Sequence, residues 1–397
     1  MYCTRNVSDS VVWVGASDRR LALFENLFPI PRGVSNNSYL ILDEKTALLD
    51  TTDASVTRQY LENVSHSLNG KPLDYLIINH MEPDHCANIA ELLLRYPHLT
   101  LVGNAKTFAF VSQFYDLDLT GRTLTVKEGD TLCLGSHTLH FFLAPMVHWP
   151  EVMVTYEETE QILFSADAFG SFGALNGHLF ADEVNFKEEW LDDARRYLVN
   201  IVGKYGVQVQ ALLKKASGLD IRMICPLHGP ILKENLGHYL GLYQTWSSYE
   251  PEKKGVLVAF ASIHGNTAKA SQLMAEYLRE NGEADVTVMD LSRTDVSYAV
   301  RKAFYYDRIV LAGATYDGGV FPCMEEFLLH LKSKNYQKRT VGIIENGTWA
   351  PLAGKVMKGI LETMKNITIA EPMVTIRSTV KEDTKEQMKE LAKVLTA

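Results

Sequence analysis

Downstream of Pro251 short apolar runs alternate so regularly with amphipathic stretches that few folds accommodate the pattern. Val256–Phe260 is followed by helical spacing over Thr267–Asn281, Asp285–Met289 by Val296–Phe304, and Arg308–Ala312 by Pro322–Lys332. Thr340–Ile344 then precedes Leu352–Met364, and a last strand and helix complete the series. Five βα units of this length predict an open, five-stranded parallel sheet, because parallel neighbours need a crossover connection. Ligands of such sheets bind at the carboxyl ends of the strands.

Upstream the pattern is different. Short β-type runs come first, at Val11–Val14, Ser38–Leu42 and Ala47–Leu49, then a buried-strand candidate at Leu73–Asn79 and helical spacing over Ala87–Tyr96. A denser β region spans Leu124 to Leu163, followed by a long helical stretch around Glu188–Lys215, a strand at Ile221–Cys225 and a helix towards Tyr249. Meandering strands mixed with helices predict a layered α/β sandwich. The charged segment Tyr249-Glu-Pro-Glu-Lys-Lys-Gly255 is the expected linker, which divides the chain into domains 1–250 and 251–397.

With 397 residues two domains are the natural expectation. A net charge of −9 argues against nucleic acid or an anionic membrane as partner. The excess is uneven: 20 Lys+Arg stand against 18 Asp+Glu from Pro251 onward, and 19 against 30 before it. The near-neutral part suits an anionic ligand better. No apolar run is long enough to span a bilayer, and the polar Met1–Ser10 lacks the core of a signal peptide, so the expected location is the cytoplasm. The five cysteines include no Cys-x-x-Cys pair, which excludes a zinc ribbon, a rubredoxin-type site or a thioredoxin motif and fits reduced thiols.

The stretch His80-Met-Glu-Pro-Asp-His85 places four candidate metal ligands, His80, Glu82, Asp84 and His85, directly after an apolar strand. Pro83 is expected to block a helix and stiffen a turn on which alternate residues converge. A lone His at a strand end is more often a hydrogen-bonded surface residue, but four together are hard to explain that way. Similar chemistry recurs at His148 in Ala144-Pro-Met-Val-His-Trp-Pro150, Asp167 in Leu163-Phe-Ser-Ala-Asp-Ala-Phe-Gly170, and His228 in Ile224-Cys-Pro-Leu-His-Gly-Pro230. Each follows a β-type run, where a strand delivers a side chain to a loop.

A His-x-x-x-Asp-His core with a later His, Asp and His resembles the metallo-β-lactamase fold, an αββα sandwich carrying a binuclear metal site. Hydrolases of that fold have histidine at the third position of the cluster. Glu82 stands there instead, and the pattern His-x-Glu-x-Asp-His resembles the flavodiiron proteins. A carboxylate in place of an imidazole hardens the site and favours iron over zinc, and zinc has no redox chemistry. The resemblance implies His80, Glu82 and His148 on one iron, Asp84 and His228 on the other, and Asp167 bridging them. His85 is a seventh candidate, one that in the family either ligates or swings away. Trp149, Phe169 and Tyr197 are candidate pocket walls or donors to the ligands.

The run Ala261-Ser-Ile-His-Gly-Asn-Thr267 joins the first strand of the alternating series to its helix. Ser262, Ile263, His264, Gly265, Asn266 and Thr267 supply hydroxyls, close backbone approach and free N–H groups, a phosphate cradle. It has neither the P-loop lysine nor Gly-x-Gly-x-x-Gly spacing, which favours a mononucleotide. Two further loops share that rim: Ala314, Thr315, Tyr316, Asp317, Gly318 and Gly319 after the third strand, and Asn346, Gly347, Thr348 and Trp349 after the fourth. Their aromatics and glycines suit a flat ring with a polar edge. The stretch from Gly255 to Ala397 resembles flavodoxin, which implies FMN, its phosphate on Ser262–Thr267 and Trp349 or Tyr316 against its ring.

Both resemblances occur in the order found in flavodiiron proteins. They imply an oxidoreductase in which FMN passes electrons to two non-haem irons that reduce O2 to water or NO to N2O. Expected partners are an electron donor, whether rubredoxin, a flavin reductase or a reduced deazaflavin, and a second copy in a head-to-tail homodimer or a dimer of such dimers. Two rival readings remain at this point: a binuclear metal hydrolase with a flavodoxin-like appendage, and an electron carrier whose first domain is a metal-free scaffold.

Overall fold

The computed structural model describes residues 2–397. They form two compact units, one running to Leu198 and resuming over Val207–Tyr243, the other comprising Val199–Gly206 and Gln244–Ala397. Among the described residues no helix is long and apolar enough to cross a membrane, and all five cysteines are unpaired.

In the first unit one sheet has the order Arg5–Asn6, Val11–Trp13, Tyr39–Ile41, Ala47–Leu49, Tyr75–Ile77, Thr100–Gly103 and Thr123–Thr125. The second has the order Thr131–Cys133, Thr138–Leu143, Met153–Glu157, Ile162–Phe164 and Met223–Cys225. Period-two alternation builds the layers. Tyr39, Ile41, Ala47, Leu49 and Ile77 meet Leu139, Phe141, Met153, Ile162 and Phe164 in one apolar layer between the sheets. Leu40, Leu48 and Leu76 face the other way, against Tyr60, Leu61 and Val64 of the helix Thr57–Leu68 and Ile89 and Leu92 of Ile89–Arg95. Burying both faces of the first sheet fixes the strand ends, which is where the candidate ligands sit.

The second unit holds the expected parallel sheet, in the order Val286–Asp290, Lys253–Ala261, Tyr306–Tyr316, Arg339–Asn346, with Ile367–Ile369 and Val374–Ile376 both paired to the last of these. The order reverses beside the first strand, the switch point at which such sheets open a crevice for ligands. Helices Asn266–Glu280 and Glu382–Thr396 cover the face carrying Val256, Val258, Phe260, Val310 and Ile344. Helices Val296–Tyr305, Pro322–Ser333 and Ala353–Leu361 also pack on this sheet.

Local expectations are corrected in four places. Pro83 does not block a helix but starts one: Pro83–Cys86 is a helical turn with the proline in its first position, where a missing N–H costs nothing. The helical stretch around Glu188–Lys215 is broken into Phe186–Glu189, Leu191–Tyr197, a π turn over Leu198–Val202, a 3-10 turn and Gly206–Ala216. The end of the expected linker is already strand from Lys253, with a register shift before Val256. The single last strand is two short ones, separated by Glu371-Pro372.

Candidate metal centre and flavin cradle

Each candidate ligand is delivered by a strand end that other groups hold in place. Buried Asp50 accepts hydrogen bonds from Asn79 N (2.8 Å), Asn79 Nδ2 (2.9 Å) and His80 N (3.1 Å). Its burial pushes the carboxyl up to about 6 against the pull of His85 and these donors. Asp167 lies in a tight loop in which Gly170 N donates to its carbonyl at 3.1 Å. A Cβ at Gly170 would meet the Tyr197 ring at 2.8 Å, so the loop and that ring fit only with glycine there. Gly229, after His228, has φ +80° and a virtual Cβ 2.9 Å from Ser171, a second position closed to side chains.

The side chains form two groups, His80, Glu82, His148 and Asp167 in one and Asp84, His85 and His228 in the other, with the ligand atoms of each group within 4.8 Å of one another. Glu82 Oε2 lies 3.3 Å from His80 Nε2 and 2.9 Å from His148 Nε2. Asp84 Oδ2 lies 3.4 Å from His85 Nε2 and 3.2 Å from His228 Nε2. Asp167 faces both: its Oδ2 is 3.3 Å from His80 Nε2 and 3.1 Å from His148 Nε2, while its Oδ1 is 3.2 Å from His85 Nε2 and 3.7 Å from His228 Nε2.

Two imidazoles are aimed by their far nitrogens. His80 Nδ1 donates to Glu151 Oε1 at 2.8 Å, an oxygen that also accepts Met81 N. His228 Nδ1 donates to the Ser35 carbonyl at 2.7 Å. A proton held on Nδ1 leaves the Nε2 lone pair directed into the site. His85 has no such anchor, since neither ring nitrogen has a hydrogen-bond partner.

Charge in the cluster is unusual. Burial opposes ionisation of Glu82, yet His148 and His80 hold its carboxyl well below the usual range. Asp167 is likewise held low against its burial by His85, His148 and His80. Burial disfavours the charged imidazoles, but Asp84 and Asp167 raise His85 to about 9, and Asp167 and Glu82 raise His148 to about 9. Protons on these rings stand where cations would otherwise bind, the usual exchange between protons and metal.

Of the aromatics singled out from the sequence, Trp149 sits edge-on to His80 (ring centroids 5.4 Å apart) and Tyr197 lies 5.6 Å from His228. Phe169 turns away to stack on Tyr243 at 4.1 Å. Glu151 and Ser35 were not expected. Neither lies in a ligand-like motif, and both act through groups distant in sequence. Glu25 was also missed: partial desolvation and the Glu82 charge push its carboxyl up to about 7.

In the second unit the three expected loops line one cavity of about 670 Å³. Its lining holds the expected loop residues except Gly265 and Gly319, and adds Ala350, Leu352 and Ser378. Gly265, at φ +88°, precedes the helix Asn266–Glu280, and its N–H donates to Ser262 Oγ at 3.1 Å. Gly319 pairs with Tyr316 in a small ribbon. Asn346 ties the loops together, with Nδ2 donating to Thr267 Oγ1 (3.3 Å) and the Ser378 carbonyl (3.1 Å), and Oδ1 accepting Ser378 N (3.1 Å). Trp349 is 80% and Tyr316 44% exposed, so two flat aromatic side chains border the cavity.

A family model described as an ODP family beta lactamase matches residues 34–229, and one described as a flavodoxin domain matches residues 257–393. The rubredoxin oxygen:oxidoreductase of Desulfovibrio gigas superposes with a TM-score of 0.93 at 26% identity, covering 99% of this chain and 98% of that one. The flavodiiron protein of Giardia intestinalis has the same fold, with a TM-score of 0.89 at 22% identity, covering 99% and 96%. An anaerobic nitric oxide reductase flavorubredoxin of Pectobacterium atrosepticum is 27% identical over 352 residues, 87% of this chain and 68% of the relative. The chain belongs to the flavodiiron protein family.

This flavodiiron protein is therefore an oxidoreductase with FMN and a non-haem diiron site, on a metallo-β-lactamase-like fold followed by a flavodoxin-like one. The residues present fit both groups. Both carboxylate oxygens of Asp84 and of Asp167, both ring nitrogens of His85 and Nε2 of His228 are buried without a hydrogen-bond partner. Each such atom costs about 1–3 kcal/mol when left unpaired, and a pair of cations would take up the Asp167 oxygens, one Asp84 oxygen and the Nε2 atoms of His85 and His228 that face them. The cradle matches FMN equally well, with hydroxyls and a helix N-terminus at one end and aromatic faces at the other.

Proposed function

We propose that this flavodiiron protein reduces O2 to water, NO to N2O, or both, with electrons relayed through FMN. What carries the reading is the division of Asp167, whose two oxygens each face a different group of histidines and carboxylates. That is the geometry of a carboxylate shared by two metals. His80, Glu82 and His148 would hold one iron, and Asp84 and His228 the other, with His85 beside the second. Two redox-active irons supply the electrons that a diatomic gas takes up, which the protein positions rather than performs.

The chain's own groups prepare that site. Glu151 and Ser35 fix the rings of His80 and His228, so the ligands are set before a metal arrives. Trp149 and Phe24, whose ring lies 5.2 Å from His228, limit access of water. Tyr197 is fully buried beside His228, and its hydroxyl has no hydrogen-bond partner; it would donate to an oxygen atom held there. In the second domain, set at residues 251–397, Ser262–Thr267 would hold the phosphate of FMN, and the loops at 314–319 and 346–349 its ring.

The electron donor in this reading is a rubredoxin, a flavin reductase or a reduced deazaflavin. A head-to-tail homodimer brings one copy's FMN to its partner's irons, since tunnelling falls steeply with distance. The deciding experiment loads anaerobically purified protein with iron and FMN, then follows consumption of O2 and of NO with a gas electrode. Rapid loss of either gas supports the reading. Zinc in place of iron, together with hydrolase activity, would overturn it. Mixing an Asp167→Asn chain with a chain altered together at Ser262, Thr267 and Asn346 so that it no longer retains FMN tests the dimer: activity regained after subunit exchange is expected, and none regained counts against it.

A further inference from the structure

One buried carboxylate of the second unit has no part in the reading above. Glu345 is only 5% exposed and stands at the carboxyl end of the strand Arg339–Asn346. Its register partner is Gly313 on the neighbouring strand. The next residue on each strand, Asn346 and Ala314, lines the flavin cradle. The side chain is not itself in the cavity lining; it leaves the strand on the face opposite to Asn346, towards the start of the helix Ala353–Leu361, one residue below the two loops assigned to the flavin ring.

Its oxygens are both used as acceptors. Gly354 N donates to Oε2 at 2.8 Å, and Thr375 Oγ1 donates to Oε1 at 2.8 Å. No ion pair among the described residues includes it. Two donors and no cation suit an ionised carboxylate whose charge is hydrogen-bonded but not neutralised. Gly354 belongs to the first turn of the helix Ala353–Leu361, where a negative charge is favoured by the unpaired N–H groups. The Leu352 and Ala353 N–H groups are taken by Thr315 Oγ1 at 2.9 and 3.1 Å. That helix start is thus capped by Thr315 of the cradle and by Glu345 below it, and Glu345 is the charged one. A Cβ at Gly354 would lie 3.0 Å from the carboxylate, so the helix approaches it as closely as glycine permits.

We propose that Glu345 is a fixed negative charge beneath the cradle that lowers the reduction potential of the FMN held there. The inference rests on FMN occupying this cavity. A one-electron reduction adds a unit of negative charge to the flavin unless a proton follows it. A buried, un-neutralised carboxylate opposes that change far more than one in water does. The consequence is a flavin that gives up electrons readily, as a relay to a metal site must. A structural role alone, capping the helix, would hold the loop without acting on the potential.

The test is a spectroscopic titration of the FMN-loaded protein against an indicator dye, without oxygen. In Glu345→Gln, which keeps the shape and removes the charge, the last one-electron couple is expected to rise. A unit charge at about 10 Å through an effective dielectric of about 20 changes a one-electron equilibrium by roughly tenfold, which is about 59 mV. Thr375→Val removes one hydrogen bond but leaves the charge, and should not raise the potential. A Glu345→Gln potential equal to that of the wild type overturns the proposal, as does an equal rise in Thr375→Val, which would assign the effect to loop geometry. Should Glu345→Gln fail to retain FMN, the wild-type apoprotein carries the test, because a lowered potential means that reduced FMN binds more weakly than oxidised FMN. Equal affinity for the two forms would sink the idea. An apoprotein that bound neither form would instead remove FMN from the cradle, a separate failure.

Discussion

The two sites of this protein are built on opposite plans. In the metal centre nearly every polar atom is a buried side chain, and the rings of His80 and His228 are each held by a dedicated acceptor. The flavin cradle is made of loops at strand ends, bordered by exposed Trp349 and Tyr316 and knitted by neutral hydrogen bonds through Asn346. A pair of cations needs concentrated negative charge at fixed points. A large neutral ring with a phosphate tail needs area and many weak contacts. Substitutions in the first should therefore be severe and local, whereas those in the second should be mild and graded.

The sharpest way to break that contrast is Asp167→Asn, which keeps the shape of the shared residue and removes its charge. Iron content, measured by elemental analysis, is expected to fall to a few per cent of the wild type, with gas reduction down about 100-fold or more. FMN absorbance should be unchanged. Simultaneous loss of both cofactors would show that the two sites are not independent.

Glu151→Gln comes next. Glu151 touches no metal in this reading but accepts from both His80 Nδ1 and Met81 N. Loss of such an orienting partner typically costs about 10–100-fold in metal affinity, and competition with a chelator reads it directly. Wild-type affinity in this variant would mean that packing alone fixes the His80 ring.

Asn346→Ala is the matching change in the cradle. It removes three hydrogen bonds that link Thr267, Ser378 and the loop after the fourth strand. Because neutral hydrogen bonds are each worth about 1 kcal/mol net, FMN affinity should fall roughly tenfold in a fluorescence titration while iron stays bound. A loss as steep as that of Asp167→Asn would erase the proposed distinction between the sites.

How far each site could be read in the sequence follows from the same contrast. Candidate ligands announce themselves because His, Asp and Glu after apolar strands are conspicuous within a few residues of chain. The structure brings His80, Glu82, Asp84, His85, His148, Asp167 and His228 into two adjoining groups. The parallel sheet was also legible, since five βα units leave little freedom of topology. What could not be read is what depends on packing between distant segments. Glu151 follows a proline in an ordinary loop, and Ser35 acts through its backbone carbonyl, which no side-chain pattern reports. Ser378 reaches the cradle only because the last strand is split and its second half pairs beside Asn346. The broken helix after Glu188 and the helical turn at Pro83 were missed because local periodicity does not say where a helix must stop to fit its neighbours.

The smallest expected effect tests the background on which the contrast stands, the ordinary electrostatics of the first unit away from its metal centre. Glu183 pairs with Arg5 and accepts the N–H groups of Leu179 (2.8 Å) and Phe180 (3.0 Å). Burial works against ionisation there, but Arg5 and the two backbone donors hold the carboxyl down to about 2. A carboxyl depressed in the folded state contributes stability above its unfolded value, near 4.5, and that contribution is lost as pH falls from about 5 towards 2. The Arg5 side chain is 39% exposed and Glu183 25%, so solvent screens much of the interaction. Glu183→Gln is therefore expected to melt only about 1–2 °C below the wild type at pH 7, with the gap closing as pH falls from about 5 towards 2. Thermal unfolding of the two metal-free proteins across that range checks it. A gap that widened on acidification would mean that the carboxyl is not depressed, and would remove the fixed-charge background against which acid sensitivity of the metal centre has to be judged.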